Sequence, residues 1–313
     1  AIEAGIRIVI DNAYELQLID SITKETGKQA QLLIRLKPEI EAHTHEHIQT
    51  GQIESKFGVS KAELIPMIQT ILDAPNLQFL GIHGHIGSQI FDPIPYEKLA
   101  HLMMDYLIKI KQDTQAPVLE LNLGGGIGIP YIEADKPPVV SDVITQMVTI
   151  LKDGCAQANI PLPRIIVEPG RSIVATAGAT LYSAGALKSI PVKSGTLNYV
   201  FVDGGMADNL RYALYKSEYT FEVANKADHP ATTQYTIAGK FCESGDKLGE
   251  NIPLPQVESG DLVLVYGTGA YNYAMASHYN LFPYLAMVGI EDGVADLWIE
   301  RETYEDLNTH FKK

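Results

Sequence analysis

The chain has 313 residues, of which 46% are hydrophobic and 20% charged, enough for a large core in one big domain or two ordinary ones. Its net charge of −14 runs against nucleic-acid binding, which normally needs a basic surface. No apolar run is long enough for a membrane span and no signal-peptide pattern opens the chain. The two cysteines, Cys155 and Cys242, form neither a disulfide framework nor a CxxC site, so the expected compartment is the cytoplasm.

In chain order, RIVID (7–11) reads as a buried strand. NAYELQLIDSIT follows, with Asn12 and Glu15 at capping-box spacing and Leu16, Ile19 and Ile22 at helical spacing. LLIRL (32–36) is the next strand. SKAELIPMIQTIL repeats the capping-box pattern with Ser60 and Glu63, ahead of an apolar face of Leu64, Met67, Ile68 and Ile71. FLGIHGHIG (79–87) is a third strand and EKLAHLMMDYLIKI a third helix. LELNLGGG (119–126) and RIIVEPG (164–170) are the fourth and fifth strands, separated by helical SDVITQMVTILKDG. Such alternation predicts a parallel sheet. Near residue 180 the pattern changes: GTLNYVFVDGG, QYTIAGKFCESGD, GDLVLVYGTGAY and VADLWIERET are strand-like, with turn residues between them. The expected division is therefore 1–178, a strand–helix domain, and 179–313, a mostly β domain.

The candidate chemistry gathers at the carboxyl ends of the predicted strands, the face that carries active sites in a (β/α)8 barrel. Gly124, Gly125, Gly126 and Gly128 let backbone N–H groups approach an anion such as a phosphate, or make a tight strand–helix turn. Glu168 and Arg171 flank a Pro-Gly turn (Pro169, Gly170). There Arg171 suits a phosphate or carboxylate and Glu168 a protonated ring nitrogen, with a salt-bridged loop as the plain alternative. On one strand His83 and His85 would share a face, as metal-binding HxH pairs do, although His83 reads better as a core residue or a support to the site. His43, His45 and His47 lie in a polar stretch and read as solvated. Cys242 beside Glu243 is either a proton donor next to a carboxylate or a small buried residue.

Taken together, THEHIQTGQIESKFG, HIGSQ, LNLGGGIGIPY, EPGRSIVATAG, FVDGGMADNLRYALY, CESGDKLGE, GTGAYNYAMASHYN and RETYEDL resemble, in family order, the diaminopimelate decarboxylases. These are fold-type III enzymes dependent on pyridoxal 5'-phosphate. The resemblance implies a (β/α)8 barrel followed by a mostly β domain. It also implies decarboxylation of meso-2,6-diaminopimelate to L-lysine, the last step of lysine biosynthesis, with small-molecule amino-acid recognition and no nucleic-acid or membrane partner. It makes His85 a residue stacked on the cofactor ring and gives the phosphate to Ser88, Gly124, Gly125 and Gly126 with Arg171 nearby. Glu168, Pro169, Gly170 and Tyr271 complete the cofactor set. Arg171, Arg211, Tyr215, Glu243 and Tyr271 become substrate contacts, and Cys242 a residue implicated in protonation. Cys242 and Glu243 would arrive from the partner in a homodimer with shared active sites.

Three departures stand out. Asn280 is followed by LFP where the family has Arg-x-Pro, and Tyr212 stands where it has proline. The family's Schiff-base lysine has no counterpart: Lys37 lies in LIRLKPEI, which matches a later strand. At roughly 30 residues per strand–helix–strand unit, five strands of eight leave about a hundred residues in front, so the expectation is a piece of a longer protein with that lysine upstream of Ala1. The alternatives are a catalytically inactive relative that competes for dimer partners and a metal-dependent barrel hydrolase using His83 and His85.

Overall fold

A computed structural model describes residues 1–40, 56–193 and 195–311, so His43, His45 and His47 fall outside the described residues. Contacts divide the chain into one unit of residues 1–129 and 136–172 and another of residues 130–135 and 173–313.

In the first unit the elements run β1 (Ile8–Ile10), α1 (Ala13–Thr26), β2 (Ala30–Leu36), α2 (Lys61–Asp73), β3 (Leu77–Gly84), α3 (Ile94–Thr114), β4 (Glu120–Asn122), α4 (Val140–Gln157) and β5 (Arg164–Ile166). All four strand pairings are parallel and the sheet order is β1-β2-β3-β4-β5. Successive strands are thus always neighbours, the winding of a (β/α) barrel; a doubly wound sheet would reverse direction after its first strands.

The helices start where their caps dictate. Asn12 Oδ1 accepts the Glu15 N–H at 3.0 Å, while the Glu15 carboxylate reaches back to the Asp11 N–H at 2.6 Å, one residue before the expected partner. At α2 the Glu63 carboxylate takes both the N–H (2.8 Å) and the hydroxyl (2.6 Å) of Ser60. The apolar face expected for α2, Leu64, Met67, Ile68 and Ile71, is buried against Leu32, Ile34, Leu36 and Ile82 of the sheet. In α1 the buried residues are Leu16, Ile19 and Thr23, with Ile22 partly exposed beside them.

The second unit adds β6 (Ala179–Val192), β7 (Gly195–Val202), α6 (Arg211–Tyr215), β8 (Phe221–Val223), β9 (Thr233–Ala238), β10 (Lys247–Leu254) and β11 (Leu262–Tyr266). The hairpin β12 (Met287–Glu291) with β13 (Val294–Ile299) stands in a sheet of its own. The six-stranded sheet has the order β10-β9-β7-β6-β11-β8, and β7–β9 is its one parallel pairing. The sheet curls until its two edges meet: a Cβ built on Gly249 of β10 would lie 3.0 Å from the Phe221 ring of β8. A six-stranded sheet closes this way because its strands twist and one face is apolar.

Candidate active site

Arg35, His83, Asn122 and Ile166 occupy one row across β2–β5, register partners in sequence. In a parallel sheet such a row shares a face, so an arginine, a histidine and an asparagine meet side by side near the carboxyl ends of the strands. Beyond the row lies Glu168. Its Oε1 accepts from Asn122 Nδ2 at 2.8 Å and its Oε2 lies 3.6 Å from His83 Nε2, long for a hydrogen bond but within ion-pair reach. The Glu168 carboxyl is pulled down to about 2, first by the His83 ring; burial opposes this and the Asn122 amide adds to it. Arg35 also bears on this carboxylate, and its guanidinium lies 4.4 Å over the Phe57 ring.

His85 falls just past the end of β3, so the two histidines do not share the face of one strand as the sequence suggested. The 5% exposed His83 faces Glu168, whereas the His85 ring turns to the loop after β4, where Nδ1 accepts the Gly125 N–H at 3.3 Å. Nδ1 is therefore unprotonated and any ring proton sits on Nε2. Burial brings His85 down to about 4, with Arg35 and His83 adding to the shift and Glu168 opposing it. At neutral pH the ring is uncharged.

Three loops converge here. Gly124 N–H donates to Asn122 Oδ1 at 2.9 Å, Glu168 N–H to Gly124 O at 2.7 Å, and Ile90 N–H to Gly126 O at 3.0 Å. Gly126 adopts φ 94°, and a Cβ there would sit 2.0 Å from Gly87 O, so only glycine permits this crossing. On the same rim Arg171, 7% exposed, donates from Nη2 to Ser88 Oγ at 2.9 Å. Pro169 and Gly170 form the turn that starts the short α5 (Gly170–Val174), with Ser172 Oγ donating to Pro169 O at 2.9 Å. An ionised carboxylate, a neutral imidazole and a guanidinium–hydroxyl pair beside close-set glycines suit a planar, protonated heteroaromatic ring that carries a phosphate.

The second unit holds the other expected residues in two groups. Arg211 is 4% exposed; its guanidinium lies 5.3 Å from the Tyr215 ring centre and 5.8 Å from that of Tyr271, and Nη2 donates to Ser217 Oγ at 3.4 Å. Tyr271 holds φ 62°, a left-handed conformation that a bulky residue keeps at a cost of order 1 kcal/mol and mostly at functional sites. Arg211 and Asn272 face the hydroxyl of Tyr219, which burial pushes up to about 12. Tyr212, the residue standing in place of proline, donates from its hydroxyl to Glu250 Oε2 at 2.6 Å.

Cys242 and Glu243 form the second group, both exposed on the turn after β9. The strand expected to run on through CESGD stops at Ala238 because Asp246 folds the chain back. Asp246 is 3% exposed and accepts the N–H of Phe241 at 2.8 Å and of Met206 at 2.7 Å.

Arg35, Asn122 and Asp246 were not singled out from the sequence. The signal for Arg35 is its place inside the apolar run LLIRL, where an unpaired arginine is rare. Among the described residues no group of three His, Cys, Asp or Glu side chains is arranged to hold a metal ion, and His83 and His85 face different neighbours. No described helix is long and apolar enough to cross a membrane.

One prediction concerns acid. His85 has its proton affinity lowered on folding, so its contribution to stability is complete above about pH 6.5 and is lost as pH falls toward 4, at up to about 1.4 kcal/mol per pH unit. Glu168 extends the loss from its ordinary range down toward pH 2. Between pH 7 and pH 5 the His85 share is about 2 kcal/mol. Urea midpoints at the two pH values check this: His85→Gln should narrow the difference between them, and an unchanged difference would sink the assignment.

The fold is that of a (β/α) barrel protein with a polar cluster gathered at the carboxyl ends of its strands. Comparison with known proteins agrees. Residues 1–175 match the model of the pyridoxal-dependent decarboxylase family, pyridoxal binding domain. The chain is 43% identical to the diaminopimelate decarboxylase of Halalkalibacterium halodurans, over 98% of this chain and 70% of the relative, and 43% identical to that of Bacillus subtilis, over 96% and 68%. The diaminopimelate decarboxylase of M. jannaschii, crystallised with L-lysine, superposes with a TM-score of 0.89 at 33% identity, over 98% of this chain and 70% of that one. The chain belongs to the diaminopimelate decarboxylase family of pyridoxal-dependent decarboxylases.

Proposed function

We propose that this protein removes CO2 from meso-2,6-diaminopimelate to give L-lysine, with pyridoxal 5'-phosphate as cofactor, and that it does so in the cytoplasm as a homodimer. The observation that carries the reading is the convergence of ionised Glu168, neutral His85 and the Ser88–Arg171 pair at the ends of β3, β4 and β5.

When bound, pyridoxal phosphate supplies an electron sink for the carbanion left by departing CO2. Glu168 keeps a proton on the ring nitrogen, because its carboxylate stays charged at every pH near neutrality. Asn122 and His83 fix its orientation from behind. His85, uncharged, would support the ring without competing for that proton. Ser88, Arg171 and the Gly126 amide would hold the phosphate, beside the Gly124 and Gly125 N–H groups that already bond Asn122 Oδ1 and His85 Nδ1. Arg211, with Tyr215 and Tyr271 about it, takes a substrate carboxylate, and burial away from water strengthens the pairing. Glu243 receives the ammonium at the far end. Cys242 delivers the one proton that replaces the lost carboxyl group. Both act from the second subunit, which their exposure on the turn supports.

The test joins mass and turnover. The purified protein is incubated with pyridoxal phosphate, reduced with borohydride and weighed, and in parallel assayed for CO2 from meso-diaminopimelate. A stoichiometric adduct on one lysine together with CO2 release supports the reading. Reversible cofactor binding with neither adduct nor CO2 would mean that these residues hold the cofactor pocket without the Schiff-base lysine. CO2 release by a longer form that carries that lysine then supports the reading, and its failure would assign the protein to the inactive relatives.

A further inference from the structure

The turn that carries Cys242 and Glu243 has an anchor on its outer side. The Tyr279 hydroxyl donates a hydrogen bond to Glu243 Oε1. The Tyr279 ring is itself held: it meets Phe241 edge-on at 5.6 Å, and Phe241 meets Phe282 edge-on at 5.3 Å. Lys240 Nζ caps the stack 4.1 Å above the Phe282 ring. Between Tyr279 and Phe282 the backbone takes two left-handed residues in succession, Asn280 at φ 53° and Leu281 at φ 58°. Such strain persists where the surroundings over-determine it. Here the reversal points the Tyr279 and Phe282 rings back at the same turn.

An exposed glutamate left to itself samples many rotamers, and ordering it is part of the cost of any contact it makes. A hydroxyl on a wedged ring removes that freedom. It occupies one carboxylate oxygen and leaves Oε2 for a cation. We propose that Tyr279 is a positioning residue that fixes Glu243 for the ammonium at the far end of the substrate. The proposal rests on the reading of Glu243 given above. Since that ammonium is remote from the carbon losing CO2, its recognition contributes equally before and during the reaction, and so belongs in KM and not in kcat.

The experiment uses the holoenzyme and two substrates, meso-diaminopimelate and 2-aminopimelate, which lacks the far ammonium. Tyr279→Phe keeps the ring contacts and deletes only the hydroxyl. It should raise KM for diaminopimelate by about 3- to 10-fold, the range of one net hydrogen bond, at unchanged kcat and melting temperature. It should leave 2-aminopimelate unaffected. Glu243→Gln should raise KM for diaminopimelate at least as much, and the double variant should be no worse than Glu243→Gln alone. An unchanged KM in Tyr279→Phe, an equal loss on both substrates, or additive losses in the double variant would each overturn the role of Tyr279 while leaving the reading of Glu243 standing. If Glu243→Gln itself leaves diaminopimelate turnover untouched, the reading of Glu243 fails and the proposal falls with it.

Discussion

Glu168→Gln should slow CO2 release from diaminopimelate by about 10²–10³-fold, the usual loss when a preorganised charge facing developing charge is removed. The side chain is half-exposed, yet its carboxyl is held near 2 by the His83 ring and the Asn122 amide. A neutral amide in its place keeps the shape and can still bond Asn122, but it cannot hold a proton on a ring nitrogen. The fall should therefore appear in kcat, with KM for diaminopimelate changed little, because Glu168 contacts no part of the substrate in this reading. His83→Asn and Asn122→Ala act through the same carboxylate and should give smaller losses that do not add to that of Glu168→Gln. Steady-state kinetics of the three single variants, and of His83→Asn and Asn122→Ala each combined with Glu168→Gln, decide the matter. A Glu168→Gln enzyme within a few-fold of the parent would remove Glu168 from the ring nitrogen.

Much of this site was legible because its residues sit where the chain changes period. His85, Gly124 to Gly126 and Glu168 each follow an apolar run, and the ends of parallel strands are where a barrel gathers its chemistry. Asn12 and Ser60 stood at helix starts because few residue types can satisfy the free N–H groups there. What escaped has a physical reason in each case. Arg35 and Asn122 gain meaning only from register, since a lone polar residue in an apolar strand says nothing about its neighbour until the strands are aligned. β6 runs over fourteen residues but is largely exposed, so it carries no alternation to betray it. The strand expected through CESGD failed because turn formation there depends on a contact with Met206, forty residues away.

That contact sets the second large effect. Asp246→Ala should destabilise the protein by about 3 kcal/mol and abolish most activity with it. Two terms oppose each other. Burial raises the Asp246 carboxyl above its ordinary value, so the charge is held at a cost that alanine would relieve. Against this, the N–H groups of Met206 and Phe241 would lose their acceptor in a site that is 3% exposed, at about 1–3 kcal/mol each. The unmade bonds win, because two donors are stranded for one charge relieved. The surrounding glycines show how closely the carboxylate is fitted: a Cβ on Gly239 would lie 2.2 Å from Oδ2, and one on Gly205 2.5 Å from Oδ1. Gly239→Ala should therefore be as damaging as Asp246→Ala, whereas Asp246→Asn retains one acceptor oxygen and strands a single N–H against its own NH2 group, so it should cost about 2 kcal/mol. Since Cys242 and Glu243 ride on the turn that Asp246 closes, activity should fall in the same order as stability. Urea denaturation of the three variants beside their turnover tests this. A stable Asp246→Ala protein with full activity would mean that the turn holds its shape without the carboxylate.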